Sequence, residues 1–136
     1  MAYLTTLFST SPQNIEAFRE NPTAAIDVVR MEVCSHQIAA AVGAPPWGDL
    51  LSRALDGGEI LHPDLKHPSL PPRFHDVAAV AALSLELSAA WKTAVAESLV
   101  DEDDLYGAQI GQIVALFHWA YEHNEAIVSF VGTFVE

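Results

Sequence analysis

The sequence is short of cysteine, of positive charge, of long apolar runs and of catalytic signatures, and each shortage removes a class of answers. Cys34 stands alone and cannot close an internal disulfide, which suits a reducing compartment and makes the cytoplasm the expected location. No uninterrupted apolar run approaches the length that crosses a bilayer; the longest lies in "VAAVAAL" (77–83). The opening "MAYLTTLFSTSP" has no basic n-region and no long apolar h-region, so a secretory signal is not expected there.

Positive charge is the scarcest resource. Six Lys and Arg face 18 Asp and Glu, for a formal charge of −12, and after Lys92 neither Lys nor Arg appears again. Residues 1–75 carry 8 acids and 5 bases, whereas residues 76–136 carry 10 acids and one base. A field of that sign repels nucleic acid and anionic membrane and attracts a basic protein. Acidity also simply keeps a protein dissolved, so charge alone leaves both readings open.

Chemical motifs are missing too. The sequence holds no G-x-S-x-G, no phosphate loop, no dinucleotide fingerprint and no H-E-x-x-H. No catalytic residue, cofactor or metal is therefore expected. Cys34 and His36 are two apart, on opposite sides of a helix, and do not make a nucleophile–base couple there. Cys34 reads as a small core residue.

What is present is a globular pattern. The chain is 136 residues with an apolar share of 51%, enough for one domain, 1–136, with a real core. No linker, repeat or low-complexity tract divides it. "YLTTLF" (3–8) reads as a strand. Ser11-Pro12 starts a helix through about Glu20, and Asn21-Pro22 repeats the device. The segment 23–43 continues helically to Gly43, although Val28, Val29 and Val33 weaken a helix. In "PPWGDLLSRALDGG" (45–58), Trp47, Leu50, Leu51, Ala54 and Leu55 form one apolar helical face that ends at Gly57-Gly58. Residues 59–75, with prolines at 63, 68, 71 and 72, read as mostly irregular. Asp76 caps the next helix, which runs to about Val100 with Val80, Leu83, Leu87, Ala94 and Val95 inward. Ser84, Ser88 and Lys92 mark its wet side, with a bend possible near Ser88. From about Asp104 a helix to His123 buries Tyr106, Ile110, Ile113, Val114, Phe117 and Tyr121, and Asn124 ends it. "AIVSFVGTFV" (126–135) is a strand apolar on both faces, hence central or covered.

Two clusters qualify as candidate sites. Asp101, Glu102, Asp103 and Asp104 do not fit a calcium loop: counting from Asp101, the sixth residue is Tyr106 and the twelfth Gln112, where glycine and glutamate are required. One aspartate suffices to cap the helix, with its neighbours facing the positive helix end, and capping alone stays open as a reading; four carboxylates exceed that need, which makes these four the candidate steering face for a basic partner. The loop with His62, Asp64, His67, His75 and Asp76 holds zinc-ligand types but no cysteine, and its prolines explain it as a rigid connector. His118 and His123, five apart, do not share a helix face. The G-x-x-x-G of "GAQIG" (107–111) makes, with Ala108 and Ala115, a small-residue stripe where the Ala-rich helix can approach closely.

The order of "WGDLLSRALDGG", then "PRFHDVAAVAALSLEL", then "GQIVALFHWAYEHNEAIVSFVG" resembles the YfbM-like family of small bacterial proteins of unknown function, over roughly residues 45–132 plus the opening strand. The resemblance implies an α+β fold: a single small domain, mostly helical, with N- and C-terminal strands in one small sheet packed by helices. It implies no catalytic residues. Two functions follow as expectations. The first is binding of a basic protein, concretely an immunity-type inhibitor of a toxin. The alternative is an enzyme or small-ligand protein using a pocket beside loop 59–76, with His62, His67 and His75 as its polar groups.

Overall fold

In the computed structural model, residues 2–20, 30–34, 43, 45–60, 73–99 and 105–135 are described. Their order is β1 (Ala2–Thr10), α1 (Pro12–Glu20), β2 (Arg30–Cys34), α2 (Leu50–Asp56), β3 (Glu59–Ile60), β4 (Arg73–His75), α3 (Val77–Ala96), α4 (Leu105–Glu122) and β5 (Ala126–Val135). The fold is α+β. Helix outweighs strand among these residues, and the strands form one antiparallel sheet in the order β2-β1-β5-β4-β3. The first and last strands are thus direct neighbours at its centre.

The apolar double face of β5 follows from that position. Ile127 joins Leu7 in the main core under α2, α3 and α4, while Ala126 and Val128 join Phe74 and Ile15 of α1 on the other face. The register explains the split: Phe8, Val128 and Phe74 stand side by side across three strands, and Ser9, Ile127 and His75 form the next row. Period-two alternation sends these rows to opposite faces.

Asp76 caps α3 as its position suggests, its Oδ1 accepting from the Ala79 amide at 2.8 Å. Asn124, at φ 53°, ends α4 in the left-handed region. Trp47, Leu50, Leu51 and Ala54 are all buried, so the apolar face of the Trp segment is real, but α2 proper begins only at Leu50. Gly58 has a steric reason: a Cβ there would lie 2.5 Å from the Phe74 carbonyl oxygen, across the β3–β4 pair.

Several expectations need correction. Arg30–Cys34, expected within a helix over 23–43, instead form strand β2 and pair with Phe8–Leu4; branched Val33 and an available partner edge outweigh local helical pattern, and the rest of that segment apart from Gly43 lies outside the described residues. The connector 59–75 has a strand at each end, β3 and β4, paired with each other; residues 61–72 lie outside the described part. Helix α3 is a single helix of 20 residues. Ser84 is buried at 2% exposure, whereas Val95 and Tyr121, expected inside, are each 44% exposed. Helix α3 is also long and apolar enough, by length and composition, to cross a membrane. Here its residues Val80, Leu83, Ser84, Leu87, Ala90 and Ala94 are buried in the protein core.

Candidate functional site

The candidate steering residues Asp101, Glu102, Asp103 and Asp104 lie outside the described residues; α4 begins at Leu105, directly after them. His62, Asp64 and His67 are likewise outside. His75 and Asp76 are described, and they part company. The His75 ring is buried, with Nε2 3.0 Å from the Ala54 carbonyl oxygen and its centroid 5.8 Å from that of Phe117. Burial holds its pKa below the usual histidine value, against the opposing pull of the Ala54 carbonyl, the Asp76 charge and an Arg53 backbone hydrogen bond. Asp76 is exposed and occupied in capping α3. Among the described residues no three His, Cys, Asp or Glu side chains are placed to hold a metal ion.

The two other described histidines, His118 and His123, are engaged as well, and His36 lies outside the described residues. His118 Nε2 lies 2.9 Å from Glu122 Oε1, and His123 stacks on Trp119 at a centroid distance of 4.0 Å. They belong to separate local pairs, as five-residue spacing dictates. Cys34, on β2, stands opposite Leu4 in the sheet register.

Among the described residues, a concavity opens on the outer side of the two long helices. A groove of about 500 Å³ runs between α3 and α4, lined on one wall by Ser84, Leu85, Ser88, Trp91 and Lys92 and on the other by Gly111, Val114, Ala115, His118 and Tyr121. Its shape comes from the small residues. A Cβ at Gly111 would lie 3.2 Å from the Trp91 ring, so glycine there lets the indole lie against α4. Trp91 also reaches inward: its ring centroid is 6.5 Å from that of the buried Trp47. Leu85, at 66% exposure, and Tyr121 stand open to solvent at the other end. Gly111 of the G-x-x-x-G stripe therefore does let the Ala-rich helix come close, and an apolar furrow is left above the contact.

A second, open cleft of about 410 Å³ lies on the opposite face of the sheet, where Pro12, Ile15 and Glu16 of the first helix meet Glu59, Phe74, Asp76, Val77, Ala78 and Ala126. It lies beside the two ends of loop 59–76. His75, one residue from Phe74, is absent from it because alternation turns that ring to the other face.

Sequence reading missed the groove residues Leu85 and Trp91. The available signal was α3 itself: a helix apolar nearly all round is either buried on every side or left with an apolar face to spare. No family model, no curated protein and no solved structure matches the chain.

Proposed function

We propose that this chain works in the cytoplasm by binding a basic protein, in its most concrete form as an immunity-type inhibitor of a basic toxin. The observation that carries the reading is the open apolar groove between α3 and α4 on a chain of charge −12. Isolated exposed apolar side chains are ordinary, but a contiguous apolar furrow in a strongly charged surface is what a recognition site requires. Acidic charge attracts the partner and speeds encounter; buried apolar contacts then hold it. Asp101, Glu102, Asp103 and Asp104 are the proposed steering residues. The same charge disfavours nucleic acid and anionic membrane as partners. Membership of the YfbM-like family, also a proposal, is compatible with this role because it brings no catalytic residues.

The test is capture of the partner from the native host, identification by mass spectrometry and measurement of its association rate. The expected result is a basic protein whose association slows as salt rises. A partner that is acidic, or whose association is indifferent to salt, would contradict the reading. The second reading, a small-ligand or catalytic site, draws on the cleft beside loop 59–76 with Glu59 and Asp76 on its wall. A thermal-shift screen with small cationic ligands separates it, since stabilisation lost on Asp76→Asn and Glu59→Gln would favour that cleft.

A further inference from the structure

We propose that α3 is the seam of a homodimer: a second copy of this chain lays its own α3 antiparallel across the outer face of this one. The proposal goes beyond the protein-binding reading. Helix α3 is long and apolar enough for a core helix, yet only 33% of its most apolar 18-residue stretch is buried inside the protein. Among the described residues, five large apolar side chains stand 44% or more exposed. Four of them (Leu85, Val95, Leu99 and Tyr121) lie on α3, just past its end or on α4. The exposed line along α3 also has a period. Ala82, Ala89 and Ala96 are seven apart, as are Leu85 and Lys92, and all five are exposed. Residues seven apart fall within about 20° of one another on a helix, so the line runs straight along one face. Contact between two helices uses that spacing, and alanines on it let the axes approach at the short end of the usual range of about 8–10 Å.

The line is its own complement. A two-fold axis at Ala89 sets that residue against itself and Ala82 against Ala96 of the second copy, small against small in every layer. Lys92 fixes the sense. In a parallel pair it would stand against its own copy, whereas antiparallel pairing about Ala89 sets the two lysines about 9 Å apart along the axis. Opposed macrodipoles favour the same sense. The chain's charge of −12 does not forbid the contact, because the charged residues of α3 are Glu86 and Lys92 alone. Glu86 is held by Arg53 of α2, 3.2 Å away. Area suffices as well. The α3–α4 layer is about 30 Å long and two helix diameters wide, a footprint of about 600 Å² in flat projection. Side-chain relief brings that to the order of the ~800 Å² per partner that a stable interface buries. A lipid surface fits less well. A helix lying on one needs Lys or Arg along its polar margin, and a helix crossing one would strip Val80, Leu83 and Leu87 from the core. Leu85 also lines the groove, so a second copy and a basic partner exclude each other there. The dimer is the covered, partner-free state.

The test uses the whole chain. Sedimentation at about 100 μM should give a dimer that dissociates on dilution. Ala89→Glu, at a position exposed in the single chain, puts like charges face to face on the axis and should weaken the dimer at least about a hundredfold. Its urea midpoint, measured where both proteins are monomers, should match the wild type, which separates lost association from lost folding. Lys92→Leu should strengthen the dimer about tenfold by replacing the seam's charge with apolar surface. With Cys34→Ala as background, Ala89→Cys should form an intermolecular disulfide far faster than Glu59→Cys on the other side of the sheet, since the bond needs Cα atoms within about 7 Å. A monomer at every concentration, a dimer indifferent to Ala89→Glu, or crosslinking no faster at Ala89 than at Glu59 would overturn the proposal. So would co-sedimentation of the wild type with neutral phosphatidylcholine vesicles that Ala89→Glu abolishes, which would make a lipid surface the occupant. A captured basic partner beside a chain that never dimerises removes the dimer and leaves the protein-binding reading standing. A dimer that responds as stated, with no basic partner, does the reverse.

Discussion

The two sides of the α3–α4 pair make an instructive contrast. Both are rich in apolar residues. On the inner side Leu83, Leu87, Ile110, Ile113 and Phe117 are buried against the sheet and α2. On the outer side Leu85 and Tyr121 remain open, with Trp91 partly covered between the two. Two leucines only two positions apart on one helix, Leu85 and Leu87, thus fall at 66% and 0% exposure. Hydrophobicity alone does not decide burial; the supply of covering surface does. A single sheet covers one side of a two-helix layer, and the other stays available.

The largest expected break in this contrast is at Trp47. Its ring is 3% exposed and lies beside Trp91, and truncating a buried tryptophan costs about 3–5 kcal/mol. Trp47→Ala should give a much lower urea midpoint or a poorly folded chain. An unchanged midpoint would mean that the inner layer is not what holds the domain together.

Titration of the inner side should produce a smaller, graded effect. The native pKa of His75 is lowered, chiefly by burial, so the unfolded chain binds its proton more readily than the folded one. The contribution of a neutral, buried His75 is therefore fully present above about pH 6.5, the ordinary histidine value. It is lost progressively as pH falls from there towards the lower native value. Denaturation midpoints between pH 7 and 5 should decline in the wild type and decline less steeply in His75→Gln. Identical slopes would remove His75 from the account.

Much of this architecture was legible. The terminal strands announced themselves through Thr and aromatic residues at one end and an unbroken apolar run at the other, and Asp76 and Asn124 marked real helix boundaries. Strand β2 was not legible, because its reason lies about 30 residues away in the free edge of β1, which local periodicity does not see. The misreading of Ser84 is geometric. Residues four apart advance about 40° beyond a full turn at each step. Over two steps from Lys92 that drift carries Ser84 from the wet side to the buried floor of the α3–α4 groove, where it is 2% exposed. Among the described residues no buried side-chain nitrogen or oxygen lacks a hydrogen-bond partner, so such a polar residue inside is tolerable. The acidic run 101–104 was conspicuous in sequence; the groove was not, since nothing in the spacing of Leu85 and Tyr121 says which side of a helix lacks cover.

The smallest expected stability effect concerns those acids. Neutralising Glu102→Gln and Asp103→Asn together should cost roughly 1 kcal/mol or less, because the sequence still offers a neighbouring aspartate as a cap. Against a basic partner the same pair should slow association several-fold at low salt. The difference should fade as ionic strength rises and screening shortens to about 8–10 Å. Dissociation should barely change, because rim charges steer rather than anchor. Association indifferent to both salt and the double substitution would reduce the acidic run to the start of a helix.

The most direct test of the contrast sets Leu85→Gln beside Leu87→Ala, measuring for each the urea midpoint and the affinity for the captured basic partner. Leu87→Ala should lower stability by about 2–5 kcal/mol and leave the affinity of the folded fraction intact. Leu85→Gln should leave stability within about 0.5 kcal/mol of wild type and weaken binding about tenfold, or roughly 1.4 kcal/mol. Equal destabilisation by the two substitutions, or an affinity untouched by Leu85→Gln, would contradict the assignment of folding to the inner side and recognition to the outer.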